Sequence, residues 1–107
     1  MISIEVTRNA GVPVRVVSTG HAVASRATES APCAAVSVVL KSFGLTLLEN
    51  GSCSVSGAAP GEGVFDISCR RCADIEWYRG VASLLERTLG EIRTAWPDEV
   101  TVSYYEE

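Results

Sequence analysis

The sequence lacks any run of lysine or arginine. Its nine basic residues are scattered among thirteen acidic ones, which gives a formal net charge of −4. Proteins that bind nucleic acid without sequence preference depend on clustered cations that contact phosphates. We therefore expect no direct nucleic-acid partner, whereas an acidic surface favours a basic protein partner.

The sequence also lacks an export signal and a long apolar segment. Residues 1–6 alternate apolar and polar side chains instead of forming the apolar core of a signal peptide. The longest apolar run, residues 34–40, contains Ser37, stops at Lys41 and is too short to cross a bilayer. These absences predict a cytoplasmic protein with no membrane partner, in which the cysteines are reduced rather than bridged. The four cysteines are Cys33, Cys53, Cys69 and Cys72.

No linker, repeat or low-complexity tract interrupts the chain, so residues 1–107 are expected to form one domain. Apolar residues alternate with polar ones in five segments, as strands with one buried face require. The predicted strands cover residues 2–7, 12–19, 53–56, 64–69 and 100–104. Residues 105–107 are expected to form a solvated tail.

Two further segments carry apolar residues at three- and four-residue steps, which predicts amphipathic helices. The first is capped by Ser30 or Ala31, has Pro32 in its first turn and ends near Asn50. The second begins after the capping residue Asp74 and ends at Pro97. The apolar stripes are Val36, Val39, Leu40, Phe43 and Leu47 in the first helix, and Ile75, Tyr78, Ala82, Leu85, Leu89, Ile92 and Trp96 in the second.

The resulting order ββαββαβ predicts an α+β, two-layer domain, with a mixed β-sheet of about five strands and two helices on one face. The first two strands form a hairpin that turns at residues 8–11. Pro13 indicates either an edge strand or the first residues of an inner strand. The regular seam of the second helix either lies on the sheet, which we favour, or contributes to a dimer interface.

Histidine is almost absent, since His21 is the only one in the chain. It follows Gly20, at the predicted end of the second strand, and precedes Cys33 by twelve positions. A strand end and a helix start that meet at one edge of a small sheet bring an imidazole and a thiol together. A cysteine nucleophile requires at least a thiol and a neighbouring base such as this imidazole.

The predicted position of Cys33 favours the ionised thiol, which is the nucleophilic form. Unpaired amide protons in the first turn of a helix stabilise negative charge, and His21 can serve as base or counter-ion. The backbone amides of Cys33 and Ala34 can donate to a developing oxyanion, and Ser37 lies one turn further on the same face. From residue types alone, a small core cysteine and a solvated loop histidine are the commoner interpretation.

The segment Gly20-His21-Ala22 and the segment Cys33-Ala34-Ala35-Val36-Ser37, whose cysteine is separated from the histidine by eleven intervening residues, resemble the signature of the Prp family of bacterial cysteine proteases. The predicted order of strands and helices is also similar to that family. The resemblance implies a Cys–His dyad with Cys33 as nucleophile and His21 as base, a loop that orders over bound peptide, and a homodimer. It also implies a substrate, large-subunit ribosomal protein twenty-seven, which loses a short N-terminal extension.

Two departures from the family lie just before Cys33. Thr28-Glu29-Ser30 stands where the family has Gly-x-Asp, and Pro32 replaces a bulky aliphatic residue. These changes leave open an alternative function, a catalytically weakened, ribosome-associated module of the same fold that binds a peptide. The residues expected to shape the site or contact substrate are Gly20, Ser30, Ala34 and Ser37.

Cys69-Arg70-Arg71-Cys72 is a CxxC motif, which raises two other possibilities. A zinc site needs about four ligands, and only Cys53 is left as a third ligand once His21 is assigned, so we expect no metal and no cofactor. A thiol-redox pair of Cys69 and Cys72 is a further hypothesis. The simpler interpretation has Cys53 and Cys69 facing the core from strands, with Cys72 in a loop.

Overall fold

The computed structural model describes residues 1–20, 31–58 and 63–107 of the chain. Strands and helices follow one another in the predicted order ββαββαβ. The strands are β1 (Ile2–Asn9), β2 (Val12–Gly20), β3 (Cys53–Ala58), β4 (Phe65–Cys72) and β5 (Val100–Glu106). The helices are α1 (Ala31–Asn50) and α2 (Ile75–Ala95). The two-layer α+β fold expected from the sequence is therefore confirmed.

The strands form one mixed sheet in the order β3-β4-β2-β1-β5. Strands β1 and β5 run parallel, and the other neighbours are antiparallel. The β1–β2 hairpin turns at Ala10 and Gly11, whose positive φ angles suit a two-residue turn between twisted strands. Pairing of β2 with β4 begins only at Arg15. Pro13 therefore occupies the start of an inner strand, and the edge-strand interpretation is wrong.

The hydrophobic core lies between one face of the sheet and the two helices. The predicted stripe of α1 is buried except for Val39, which is half-buried. The seam of α2 is buried from Tyr78 to Ile92, whereas Ile75 is exposed and Trp96 is half-buried. The seam thus faces the sheet, as favoured from the sequence. The strand residues that belong to the buried hydrophobic core are Ile2, Ile4, Val6, Val14, Val16, Ile67, Cys69 and Val100.

Side-chain hydrogen bonds fix the start of α2 on the sheet. The Asp74 carboxylate accepts from the backbone N–H of Trp77 at 3.2 Å, so the predicted cap is confirmed. The Tyr78 hydroxyl donates to the Pro13 carbonyl oxygen at 2.5 Å. Burial raises the pKa of Tyr78, which keeps this hydroxyl protonated and able to donate.

Helix α1 is apolar over most of its circumference. Its 20 residues have the length and apolar composition of a membrane span, which the sequence analysis did not expect. A core helix of a globular domain satisfies the same two criteria. In this fold Leu40 and Leu47 are fully buried against the sheet, while Leu45 and Leu48 are exposed.

The carboxyl terminus is exposed, as the sequence predicted, but it belongs to a strand and is not a tail. Strand β5 continues to Glu106, in register with β1. The Glu107 carboxylate accepts two hydrogen bonds from the Arg70 guanidinium, at 2.7 and 2.9 Å, and its backbone N–H donates to the Arg8 carbonyl oxygen. These contacts join strands that are far apart in sequence, a pairing that local composition does not reveal.

Two of the four cysteines form a disulfide, so the expectation of four reduced thiols is wrong. Cys53 and Cys72 lie opposite each other on β3 and β4, with Cα atoms 4.0 Å apart. Cys72 is the last residue of β4 and not part of a loop. The bond links the chain just after α1 to the chain just before α2, because the hairpin brings these ends together.

We expect reduction of this disulfide to lower the free energy of unfolding. The bond closes a loop with a sequence separation of 19, and removing a cross-link of that size from the unfolded chain costs about 3 kcal/mol. Urea unfolding with and without dithiothreitol measures the difference. The double variant Cys53→Ser, Cys72→Ser serves as control and should not respond to reductant. Equal stability of the wild type in both conditions would show that the bond does not form in solution.

The outer face of the sheet carries an ion pair between β2 and β4. The Arg15 guanidinium donates to both Asp66 carboxylate oxygens, at 3.0 and 2.7 Å. This hydrogen bonding lowers the pKa of Asp66 below its ordinary value of 3.8. The resulting stability is present above that value and is lost as pH falls through the folded-state pKa.

The free energy of unfolding, measured as a function of pH, tests the Arg15–Asp66 ion pair. Between about pH 5 and pH 2 the wild type should lose more unfolding free energy than Asp66→Asn, which cannot titrate at this position. Both side chains are more than a third exposed, so the difference should stay below about 1 kcal/mol. Parallel pH profiles for the two proteins would contradict the assignment.

Candidate active site

Gly20 ends β2 at a position that only glycine tolerates. Its φ of +93° lies in the left-handed region, and a Cβ there would collide with the carbonyl oxygen of Met1. Gly20 pairs with Ile2 at the start of β1. The predicted strand end is confirmed, and the chain leaves the sheet beside the amino terminus.

Cys33 lies in the first turn of α1, as predicted. It is partly buried and packs against the hydrophobic core. The neighbouring Pro32 is buried and anchors this turn. The described first turn contains no acidic side chain, so nothing there opposes the positive end of the helix dipole. A thiol held in such a turn is in a suitable place for nucleophilic chemistry.

Two other predicted residues share this end of α1. Ala34 follows the cysteine directly, and Ser37 lies one turn further along the helix. Both are exposed. The fold therefore brings the candidate nucleophile, the candidate amide donor and the candidate hydroxyl onto two successive turns of one helix.

The remaining predicted site residues, His21 and Ser30, lie outside the described residues, as do Thr28 and Glu29. The pairing of His21 with Cys33 therefore stays a prediction. Gly20 and Ala31 are the nearest described residues on either side of this segment.

Ser18 is a residue that the sequence analysis did not single out. It is 3% exposed, on the same face of β2 as the buried Val14 and Val16. It lies two residues before Gly20 and pairs with Phe65 of β4. A serine at an inward position of an alternating strand was the available signal, because burying a hydroxyl is costly unless it has a partner. Ser18 is thus a polar group buried near the end of the sheet where β2 stops.

The other cysteines do not form the predicted alternative sites. Cys72 is bonded to Cys53, so the proposed redox pair of Cys69 and Cys72 is wrong. Cys69 faces the core as expected, its thiol donates to the Arg71 carbonyl oxygen at 3.5 Å, and burial raises its pKa. A protonated thiol in the core is a poor nucleophile. Within residues 1–20, 31–58 and 63–107, no three His, Cys, Asp or Glu side chains come together as metal ligands.

Comparison with known proteins places this arrangement in context. The model of a family described as cysteine protease Prp matches residues 1–101. SMU.848 from Streptococcus mutans is similar in structure over 100% of this chain and 99% of its own, with a TM-score of 0.82 at 22% identity. No protein of curated function matches the sequence.

Two structures of the essential ribosomal processing protease Prp from S. aureus are also similar. The complex with a covalently linked product peptide has a TM-score of 0.85 at 21% identity, and the complex with a substrate peptide has 0.79 at 20%. Each alignment covers 97% of this chain and 99% of the other. At these identities the structural likeness establishes a shared fold.

Proposed function

The chain belongs to the Prp family of cysteine proteases, and we propose that it removes a short N-terminal extension from large-subunit ribosomal protein twenty-seven. The family model extends over 101 of the 107 residues. The observation that carries the proposal is the position of Cys33, a partly buried thiol in the first turn of α1. The S. aureus relatives hold a substrate peptide and a covalently linked product peptide, which supports a peptide substrate here.

In the proposed mechanism His21 takes the thiol proton of Cys33 and the sulfur attacks the carbonyl carbon of the scissile peptide bond. The tetrahedral oxyanion accepts hydrogen bonds from backbone amides in the first turn of α1, including that of Ala34. Collapse breaks the carbon–nitrogen bond, and His21 returns the proton to the leaving amine. Water, deprotonated by the same imidazole, then hydrolyses the thioester and regenerates the thiol.

The fold supports this mechanism in two ways. Cys33 and Ala34 lie in the first turn of α1, where unpaired backbone amides and the helix dipole can stabilise a developing oxyanion. Gly20, the residue directly before His21, ends β2 with a φ in the left-handed region. We infer that the segment from His21 to Ser30 supplies the base and covers the bound peptide.

We further propose that the protein is a cytoplasmic, bacterial homodimer. A basic ribosomal protein is electrostatically compatible with the acidic chain, whose net charge is −4. Large apolar side chains are exposed on both helices, including Val38 of α1 and Leu84 of α2. Contact with a second copy would remove such side chains from water.

A processing assay tests the proposal. The purified protein is incubated with ribosomal protein twenty-seven of the same organism, carrying its full amino terminus, and the products are identified by intact mass spectrometry. We expect one cut that releases a short N-terminal peptide. Stable binding without cleavage would contradict the proposal and support the weakened peptide-binding module instead.

A further inference from the structure

An apolar groove runs between α1 and the outer strand β3. Residues of α1 form one wall of the groove, and residues of β3 and β4 form its floor. They are Leu40, Lys41, Gly44, Leu45 and Leu48 of α1, Val55 and Gly57 of β3, and Phe65 and Ile67 of β4. The groove continues past Leu48 and Val55 to Cys53, Ser54 and Arg71.

Two glycines keep this groove open. A Cβ on Gly44 would meet the Ile67 side chain at 3.5 Å, and one on Gly57 would meet the Asp66 carbonyl oxygen at 3.6 Å. Both are ordinary contact distances, so the backbone has room for a side chain at either position. The glycines are therefore not required by close backbone packing. A larger side chain at either position would extend into the groove.

The groove is aligned with the candidate nucleophile. Cys33, Ser37, Gly44 and Leu48 are spaced by four, seven and four residues, so they share one face of α1. At about 1.5 Å per residue, the helix covers about 22 Å between Cys33 and Leu48. An extended peptide rises about 3.3 Å per residue, so about six or seven residues would reach from the sulfur to the far end of the groove.

Strand β3 offers main-chain partners along the same path. It is an outer strand of the sheet, and residues 53–58 contain neither a charged residue nor proline. Charged residues and proline are two of the features by which natural edge strands block pairing with another chain; a β-bulge is another, and the pairing of β3 with β4 shifts register between Ser54 and Val55. An added strand would direct every second side chain toward the groove, where Leu45 and Leu48 are exposed.

The charged residues that line the two described parts of the groove are all basic, and the carboxylate of the adjoining cavity, Asp66, is paired with Arg15. Lys41, Arg70 and Arg71 line its described parts, and no carboxylate does. Glu107 holds Arg70 in an ion pair, which leaves Lys41 and Arg71 as the cations facing a bound chain. A neutral or acidic segment is therefore favoured over a basic one.

We propose that this groove binds about six residues of the substrate on one side of the scissile bond, as a strand added to β3. The inference rests on the proposed function of Cys33. It identifies the substrate class as an extended peptide whose alternate side chains are apolar and which carries no lysine or arginine beside Lys41. Gly44, Gly57 and Lys41 are then specificity-determining residues.

A binding assay tests the groove independently of cleavage. Dansyl-labelled nonapeptides that alternate threonine, glutamate or lysine with valine and leucine are titrated into the Cys33→Ala protein by fluorescence anisotropy. The threonine and glutamate peptides should bind, and the lysine peptide should bind several-fold more weakly, by about the strength of one exposed ion pair. Lys41→Glu should reverse this preference. No binding of any of the three peptides would overturn the proposal.

Gly44→Leu in the same background fills the groove and should weaken binding about tenfold or more through lost apolar contact. Gly80→Leu on α2, where nothing lies within 4 Å of the added Cβ, is the matched control and should bind within about twofold of its parent. Equal binding by the two variants would overturn the proposal. A change of oligomeric state in Gly44→Leu, measured by sedimentation, would instead make the groove a subunit interface.

The proposed protease function and the proposed groove can be contradicted independently of each other. Iodoacetamide labelling of Cys33, measured in proteins that retain it, requires no groove contact and should be equal in Gly44→Leu and Gly80→Leu. If the ribosomal protein is not cleaved but the peptides still discriminate between these variants, the proposed function fails and the groove stands. If cleavage occurs and Gly44→Leu does not impair it, the groove assignment fails and the function stands.

Discussion

Cys33→Ala is expected to lower kcat/KM for processing of the ribosomal protein by about a thousandfold or more, because removing a nucleophile eliminates the covalent route. The remaining activity would come from peptide binding and backbone amides alone. The variant should fold normally, since a half-buried thiol is replaced by a good helix former. Product formation followed by mass spectrometry measures the loss.

Cys69→Ala is the matched control for this experiment. Cys69 is buried in the core, and its variant removes one sulfur atom far along the chain from α1. It should process the substrate at nearly the wild-type rate, with a modest loss of stability from the small cavity. Processing that survives in Cys33→Ala but stops in Cys69→Ala would reverse the assignment of the nucleophile.

Leu40→Ala is expected to have the largest effect on stability, lowering the unfolding free energy by about 2–5 kcal/mol. The side chain is fully buried, so its removal leaves a cavity between α1 and the sheet. Leu48→Ala makes the same chemical change on the same helix, but Leu48 is 62% exposed. It should cost less than about 1 kcal/mol. Urea unfolding of the two variants measures both values.

This comparison also tests the orientation of α1 about its axis, and with it the position of Cys33. Buried Leu40 and exposed Leu48 define which side of the helix faces the sheet, and Cys33 lies between these two directions around the axis. Comparable losses of stability in the two variants would mean that α1 is rotated. The groove and the environment of the sulfur would then both be wrong.

Local patterning was sufficient to predict the elements and their order. Alternation in residues 2–7 and three- and four-residue steps from Tyr78 to Ile92 each reflect one buried face, and burial of that face is what the fold requires. Asp74 marked the start of a helix because its side chain accepts a hydrogen bond from the backbone of the first turn. Gly20 marked the end of a strand because it adopts a positive φ there.

Features that depend on strand register could not be predicted in this way. The disulfide forms because Cys53 and Cys72 are directly opposed on β3 and β4, and the CxxC spacing instead suggested a pair with Cys69. The partner of Glu107 is Arg70, which is 37 residues away in sequence. The groove likewise requires Gly44 and Gly57 to lie close to Ile67 in the folded chain. None of these distances is encoded in a local period.

Some residues of the candidate site could be predicted from local spacing, and others depend on the folded chain. Helical spacing alone placed Cys33, Ala34 and Ser37 together, because residues one turn apart share a face. Ser18 became visible only when its burial on β2 was known. The approach of His21 to Cys33 depends on the path of the chain between Gly20 and Ala31, which the family resemblance supplies and the residue pattern does not.

The most direct test of the account is the rate at which iodoacetamide alkylates Cys33 near pH 6, in the wild type and in His21→Ala. If the imidazole activates the sulfur, the wild type should react about tenfold faster or more, because an adjacent imidazolium stabilises the thiolate. Peptide mapping assigns the label to Cys33. Equal rates in the two proteins would contradict the Cys–His pairing on which the proposed protease mechanism depends.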